Sequence, residues 1–180
     1  MKILLRFLLL AVLLALGLWL WTLLFPAPEK VIRQRLTRLA GAVSFSHGEG
    51  QVTRLAGASN LAGYFSTNVD VDIDIPGHIH HSFIGREEIT QAALAARSAY
   101  GSLTVKFPDI RVTVAPDRQS AVANLTVEAS ISGEPDPIVQ EMKFTLQKAD
   151  GEWLITRIET VHTFTILDFE LRRLPFIVGA

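Results

Sequence analysis

The chain has 180 residues, a formal net charge of −1, no cysteine and 49% hydrophobic residues. A chain of this length accommodates one folded domain of about 100–200 residues and little else. The absence of cysteine excludes a disulfide scaffold, a cysteine-ligated zinc site and a thiol nucleophile. The near-neutral charge argues against a nucleic-acid-binding protein, which usually carries a basic excess, so we predict no nucleic-acid partner.

The N-terminal segment predicts a membrane anchor. Residues 7–25 contain no charged side chain, and a helix of that length spans about 28 Å, close to the hydrocarbon thickness of a bilayer. The apolar core of a cleaved signal peptide is shorter, about 7–15 residues. Trp19 and Trp21 lie near the end of the segment, where aromatic rings favour the membrane interface. The sequence therefore predicts a single-pass anchor in the lipid bilayer, and a cleaved signal peptide is the alternative.

The residues around this segment predict its orientation. The short leader with Lys2 and Arg6 resembles the n-region of an export signal. This favours a cytoplasmic N terminus and a domain on the extracytoplasmic side of the membrane. The basic residues that follow the segment make the positive-inside count nearly equal on the two sides, so the opposite orientation stays open.

The chain divides into three predicted parts. Residues 1–28 form the anchor and a short joint stiffened by proline. Residues 29–166 form the folded domain, and residues 167–180 form a C-terminal tail that is unusually apolar for a terminus. We expect the tail to pack on its own domain, and contact with a second copy or with the membrane is the alternative.

The first half of the domain predicts three helices and one strand. Apolar residues at helical spacing predict helices over Glu29–Val43 and Val52–Phe65. In Val69–Ile75, valine and isoleucine alternate strictly with aspartate, which predicts a strand that ends at a Pro-Gly pair. A third helix is predicted after Gly85, because acidic residues follow where the helix dipole favours them.

The second half predicts a meander of four strands over residues 103–166. The apolar residues shift from odd to even positions at Pro108-Asp109, which requires a bulge or a sharp bend. Asp150-Gly151 predicts a tight hairpin between the last two strands. Strands joined by short turns are antiparallel neighbours, and their apolar face needs a cover of helices. We therefore predict an α+β fold in which a strongly bent antiparallel sheet wraps on about three helices.

Four passages carry a resemblance to a known family. Residues 61–73 are similar to the family's passage from a helix into the first strand, Gly85-Arg86-Glu87-Glu88-Ile89 to the glycine before its third helix, and residues 148–155 to its final hairpin. The meander is similar to its sheet. In this order and spacing, residues 30–166 resemble the nuclear transport factor 2-like superfamily, including SnoaL-like domains with a cystatin-like α+β cone.

The resemblance implies a cone-shaped fold whose sheet and helices enclose a pocket that is open at one end. It also implies a homodimer formed through the sheet, which is frequent in the family. Members include isomerases, cyclases, epoxide hydrolases and many non-enzymatic binding or assembly modules. The fold therefore does not by itself determine the function.

Three residues are candidates for acid/base chemistry. Asp72 belongs to a row of aspartates in the first strand, and a desolvated carboxylate in a pocket can act as a general base. Glu128 and His162 lie on predicted sheet strands, where a histidine beside an acid can form an acid/base pair. The alternatives are a solvated strand face for the acids and a hydrogen-bonded structural role for the histidine.

Tyr64, Asp74 and Tyr100 are candidate ligand-pocket residues. Isomerases of the family pair a tyrosine with two acids around one cavity, and Tyr64 and Tyr100 are the only tyrosines of the chain. The complete set has no residue-by-residue match here, which puts isomerase activity in doubt. Both tyrosines are alternatively core residues with hydrogen-bonded hydroxyl groups.

The sequence Gly-His-Ile-His-His contains candidate ligands for a metal ion. His78 and His80 share a face if this segment is a strand, and Asp72 or Asp74 could complete a ligand set. The preceding Pro-Gly pair instead favours a solvent-exposed loop, so we predict no metal. The sequence contains no phosphate loop, nucleophile elbow or dinucleotide fingerprint, and we predict no cofactor.

Two functions follow from these expectations. The first is a membrane-anchored, non-enzymatic module that binds a small apolar ligand or a protein partner. The alternative is a SnoaL-like acid/base enzyme, an isomerase, cyclase or hydrolase, that acts on a small hydrophobic substrate. An enzyme of this kind needs two or more ionisable groups within hydrogen-bond reach in one closed pocket, whereas a binding module needs only an apolar cavity or an exposed sheet face.

Overall fold

The computed structural model describes residues 27–74 and 80–161, which form three helices and a seven-stranded sheet. The helices are α1 (Pro28–Val43), α2 (Gln51–Ala62) and α3 (Arg86–Ala99). The strands are β1 (Phe65–Ile73), β2 (His81–Ile84), β3 (Leu103–Lys106), β4 (Ile110–Val114), β5 (Ser120–Ile131), β6 (Ile138–Ala149) and β7 (Glu152–Thr160). The predicted α+β class with three helices is confirmed.

Helix α1 supplies the centre of the helical layer. Its Ile32, Leu36 and Leu39 recur at the spacing of one helix face, and all three side chains are buried in the core. From the same helix, Arg35 donates hydrogen bonds to the carbonyl oxygen of Gly63 (3.0 Å) and to Glu152 Oε2 (3.1 Å). The helix is thereby joined both to the end of α2 and to the hairpin between β6 and β7.

Two short strands, β3 and β4, both pair with the long strand β5. The strands form the order β2-β1-β7-β6-β5-β3, and β4 also pairs with β5. The pair Ile110–Leu125 places β4 on the first half of β5, and the pair Leu103–Ile131 places β3 on its second half. The predicted bend at Pro108-Asp109 is therefore the break between two separate strands, and the sheet curls around the helices at this point.

The prediction of a purely antiparallel sheet is wrong at one pair of strands. Strands β1 and β7 run parallel, with Asp70 opposite Arg157, so the sheet is mixed. The alternation within a strand fixes which side chains share a face, but it does not indicate which distant strand lies alongside. Because α3 and the other strands separate β1 from β7, the connection is long enough to permit a parallel pair.

The start of β1 also differs from the prediction. Helix α2 ends at Ala62 and β1 begins at Phe65, whereas the sequence predicted a helix to Phe65 and a strand from Val69. The pairing of β1 with β7 shifts between Phe65 and Asp70, which marks a bulge or irregularity. This irregularity breaks the period-2 pattern, so only the second part of the strand is visible in the sequence.

Part of the histidine-rich segment is a strand, which corrects the predicted loop. His81 opens β2, and it lies opposite Ile73 in the antiparallel pair with β1. Its ring stacks on Phe83, with a centroid distance of 6.1 Å. A strand of four residues is too short for a reliable alternation pattern, so the sequence does not reveal it. His78 and the Pro-Gly pair before it lie outside the described residues.

None of the helices in the described part of the chain is long and apolar enough to cross a membrane. The predicted anchor at residues 7–25 lies outside that part, as do His162 and the tail at residues 167–180. The last strand, predicted to reach Ile166, is described as far as Thr160.

Candidate functional site

An apolar cavity of about 210 Å³ lies between the helices and the β1, β2 and β7 side of the sheet. Val71, Ile73 and Phe83 line it from the sheet, and Ala92 and Ala96 line it from α3. Every lining residue except Arg97 is alanine, valine, leucine, isoleucine or phenylalanine. The cavity therefore offers an incoming molecule almost only hydrocarbon surface.

The alanine-rich face of α3 explains why space is left here. Ala92, Ala93 and Ala96 present only methyl groups to the cavity, opposite strands that carry larger side chains. Ala95, which lies between Ala93 and Ala96 in the sequence, is exposed and does not line the cavity. The small side chains of α3 therefore leave an apolar pocket between this helix and the strands.

Arg97 is the only charged residue among those that line the cavity, and its side chain is 5% exposed. Its Nη1 donates a hydrogen bond to Glu49 Oε2 at 2.8 Å, and its Nη2 donates to the carbonyl oxygen of Ala42 at 2.8 Å. Its guanidinium carbon lies 5.1 Å from the centre of the Phe45 ring. A Cβ atom at Gly57 would lie 2.9 Å from that carbon, so the glycine makes room for the guanidinium. The charge is thus paired, and α1, α2 and α3 all contribute to its surroundings.

Sequence reasoning did not select Arg97 or Glu49. One signal was available, because Arg97 continues the four-residue spacing of Ile89 and Ala93 and therefore falls on the apolar face of α3. An arginine on a core-facing position needs a buried partner. Its partner lies 48 positions earlier in the chain, in the loop between α1 and α2, and no local pattern connects the two.

The structure places the three predicted pocket residues outside the cavity lining. Tyr64 packs against the core, and the guanidinium of Arg35 lies 5.2 Å from the centre of its ring. Tyr100 follows the end of α3 and is 50% exposed. Asp74 follows β1, and its backbone N–H donates to Thr160 Oγ1 at 3.0 Å.

Asp72 points away from the cavity. Its neighbours Val71 and Ile73 line the cavity, and successive side chains of a strand lie on opposite faces. On the outer face of the sheet, Asp72 Oδ1 lies 3.5 Å from His80 Nε2, and both side chains are about half exposed. The structure therefore brings an acid and a histidine together, but the sheet separates this pair from the cavity.

Glu128 does not join this pair. Glu128 is half-buried on β5, next to Val127, which packs against the core, so Glu128 belongs to the outer face as well. Strands β7 and β6 lie between β1 and β5, a separation of about 14 Å at 4.8 Å per strand. His162 lies outside the described residues. Asp72 and Glu128 are thus too far apart to act on one group.

The alternative of a metal site with His78 and His80 gains no support from the described residues. Within residues 27–74 and 80–161, no group of three or more histidine, aspartate or glutamate side chains is arranged to hold a metal ion. His80 has Asp72 as its carboxylate partner, and His78 is not among the residues that the structure describes.

A row of ion pairs crosses the outer face of the sheet. Arg157 contacts Asp70 (Nη1–Oδ2, 3.1 Å) and Glu159 (Nε–Oε2, 3.0 Å), and Lys143 Nζ lies 2.6 Å from Glu159 Oε1. The hydrogen bond from Lys143 and, to a smaller extent, the one from Arg157 lower the pKa of Glu159, against the opposing effect of its burial. The predicted homodimer through the sheet would use this polar face, and it stays a prediction.

This row predicts a loss of stability in acid. Because the folded-state pKa of Glu159 is below its ordinary value of 4.5, its ionised form stabilises the fold above that pH, and this contribution is lost as the pH falls through the folded-state pKa. We expect Glu159→Gln to make the free energy of unfolding less dependent on pH below about 4.5. Lys143→Met removes the hydrogen bond that lowers the pKa of Glu159 most. It should therefore also make the free energy of unfolding less dependent on pH. Urea unfolding at several pH values measures this, and an unchanged pH dependence in both variants would contradict it.

No protein-family profile and no curated protein sequence matches this chain. Solved structures do resemble it. A candidate aromatic ring hydroxylase from Novosphingobium aromaticivorans is 13% identical with a TM-score of 0.59, over 76% of this chain and 90% of that one. An NTF2-like protein of unknown function from Pseudomonas putida is 14% identical with a TM-score of 0.58, over 84% and 96%. The yeast UBP3-associated protein BRE5 is 15% identical with a TM-score of 0.56, over 77% and 100%.

At such identities the likeness shows the fold alone. The similar structures have different names and include both a candidate enzyme and a protein-associated factor, so they do not favour one activity. The described residues of this chain have three helices and a mixed, curled sheet in the arrangement of NTF2-like and cystatin-like folds.

Proposed function

We propose that this chain is a non-enzymatic module that binds a small apolar molecule in the cavity. The observation that carries the proposal is the lining, which is hydrocarbon except for one arginine whose charge is already paired. Burial of apolar surface drives binding at such a site, at about 25 cal/mol for each Å² removed from water. A ligand therefore needs no polar group to bind here.

The volume of the cavity limits the size of the ligand. An engineered apolar cavity of about 150 Å³ in another protein binds benzene, and the cavity of this chain, at about 210 Å³, is somewhat larger. We propose a ligand with one aromatic ring and a small substituent, or a branched hydrocarbon of similar size. Toluene is a suitable test compound, because it contains both elements and carries no charge.

A titration of the full chain in lipid nanodiscs with toluene tests the proposal. With 13C-methyl-labelled alanine, we expect saturable NMR shifts of the Ala92, Ala93 and Ala96 methyl groups, which line the cavity. The Ala95 methyl, exposed on the same helix, should not move and corrects for toluene dissolved in the lipid. Equal movement of all four, or no movement, would contradict the proposal.

A pair of matched variants locates the binding site. Ala96→Leu adds three carbon atoms inside the cavity, and we expect it to weaken toluene binding at least about tenfold while the chain stays folded. Ala95→Leu adds the same atoms on the exposed side of α3 and should bind toluene like the unchanged chain. Equal affinities of the two variants, measured by the same NMR titration, would place the ligand elsewhere.

An acid/base enzyme is the alternative, and the Asp72–His80 pair is the observation that favours it. Because this pair lies on the outer face of the sheet, a substrate would have to bind there and not in the cavity. The alternative predicts that Asp72→Asn abolishes turnover of a substrate without affecting toluene binding. Our proposal expects the chain to convert none of the compounds that occupy the cavity.

We also propose that residues 7–25 hold this module at a membrane. The support is the uncharged apolar segment itself and the short proline-containing joint, which leaves little distance between the bilayer and α1. Flotation with phosphatidylcholine liposomes tests this proposal. We expect the full chain to rise with the vesicles after a wash at high pH, and recovery of the chain in the vesicle-free fraction would contradict it.

A further inference from the structure

We infer that Glu49 makes the cavity selective for uncharged ligands by neutralising Arg97, an inference that rests on the proposed binding function. The two residues come from different parts of the chain: Glu49 from the loop that precedes α2, and Arg97 from the last turn of α3. Their side chains are only 19% and 5% exposed, so the pair is formed largely out of contact with water.

Both terminal nitrogen atoms of the arginine already donate to protein oxygen atoms. Nη1 donates to Glu49 and Nη2 donates to the carbonyl oxygen of Ala42, each at 2.8 Å. The guanidinium carbon lies 5.1 Å from the centre of the Phe45 ring, and Gly57 of α2 closely approaches the group as well. A guanidinium binds a carboxylate best through two parallel N–H donors. Here each of its two terminal nitrogen atoms already donates to a different protein oxygen.

The charges therefore discriminate between ligands of the same shape. A carboxylate that enters the cavity loses its hydration, which is costly unless a cation compensates for it. The only cation in the described lining is Arg97, whose charge is balanced by Glu49, so a ligand carboxylate would have to compete with a fixed protein carboxylate. An uncharged ligand avoids both costs. Without the Glu49 charge, the same arginine would attract an anion.

The test compares toluene with benzoate, which has nearly the same shape but carries a carboxylate. In the full chain with labelled alanine, we expect toluene to shift the cavity methyl groups and benzoate to have no effect at ten times the toluene Kd. In Glu49→Gln we expect the affinity for benzoate to rise by at least about tenfold, while toluene affinity changes far less. Glu152→Gln is the matched control, because Glu152 also pairs with an arginine, at 3.1 Å, but that arginine, Arg35, does not line the cavity as Arg97 does.

The outcomes separate this inference from the proposed function. If the unchanged chain binds no toluene, the proposed function fails. If it binds toluene and benzoate equally well, or if Glu49→Gln binds toluene but gains no affinity for benzoate, the selectivity by Glu49 is overturned and the binding function stands. If Glu49→Gln does not fold, the double variant Glu49→Met with Arg97→Met removes both charges. We expect it to bind toluene and reject benzoate, and benzoate binding there would overturn the inference.

Discussion

Arg97→Met is expected to lower the free energy of unfolding by about 3 kcal/mol. The substitution keeps an apolar stem of similar length but removes the partner of Glu49, whose side chain is only 19% exposed. Loss of one partner of a buried ion pair leaves the other charge uncompensated, which costs about 3–5 kcal/mol. The residual exposure of Glu49 favours the lower end of this range. The variant also leaves the carbonyl oxygen of Ala42 without its hydrogen bond from Arg97.

Chemical denaturation of the unchanged chain and of Arg97→Met measures this difference in the free energy of unfolding. Arg111→Met is the matched control, since Arg111 also pairs with a carboxylate, Asp109, at 3.0 Å, but its side chain is 79% exposed. Exposed ion pairs contribute little, so the control should change the unfolding free energy by less than about 0.5 kcal/mol. Similar losses in both variants would show that the burial of the Arg97 pair has no special energetic role.

Gly85→Ala is expected to destabilise the chain by about 2 kcal/mol. Gly85 has φ 90° and ψ 155°, a backbone conformation that is essentially restricted to glycine. It is the N-cap of α3, and its N–H donates to the carbonyl oxygen of Val69 at 2.7 Å. The chain therefore cannot relax at this position without moving the start of the helix that lines the cavity, and a loss of toluene affinity should accompany the loss of stability.

Gly41→Ala provides a comparison with the opposite expected sign. Gly41 lies inside α1, and an added Cβ atom would meet no other atom within 4 Å. Alanine favours a helix over glycine by about 0.8–1 kcal/mol, so this variant should be more stable than the unchanged chain. Thermal unfolding of both variants checks the pair of predictions. A destabilised Gly41→Ala, or an unaffected Gly85→Ala, would contradict the conformational explanation.

Local patterns in the sequence were sufficient for most elements of the fold. The spacing of Ile32, Leu36 and Leu39 predicts α1 because one face of a helix repeats every 3.6 residues. Asp150-Gly151 predicts the last hairpin because both residues adopt positive φ values, 51° and 83°, as the tight turn requires. The parallel pair of β1 and β7 was not predictable in this way, since pairing between distant strands leaves no periodic pattern in either one.

The candidate site was less predictable than the fold. A cavity forms where small side chains leave space unfilled. The alanines of α3 show that the side chains on one side are small, but the sequence does not show which residues lie opposite them. The tyrosine candidates followed from the resemblance and the acid/base candidates from their positions on predicted strands. The structure places Tyr100 and Asp72 at positions that do not line the cavity. The Arg97–Glu49 pair depends on contacts between α3 and a distant loop, which only the three-dimensional arrangement brings together.

A crystal structure of the full chain soaked with bromobenzene tests the proposed binding site most directly. The compound is uncharged and close to toluene in size, and the anomalous scattering of bromine locates it without ambiguity. We predict one bromine peak inside the cavity, in contact with Ala92, Ala96 and Phe83, which line it. Bromine peaks only on the outer face of the sheet or between molecules, with the cavity left empty, would contradict the proposal that this chain binds small apolar molecules there.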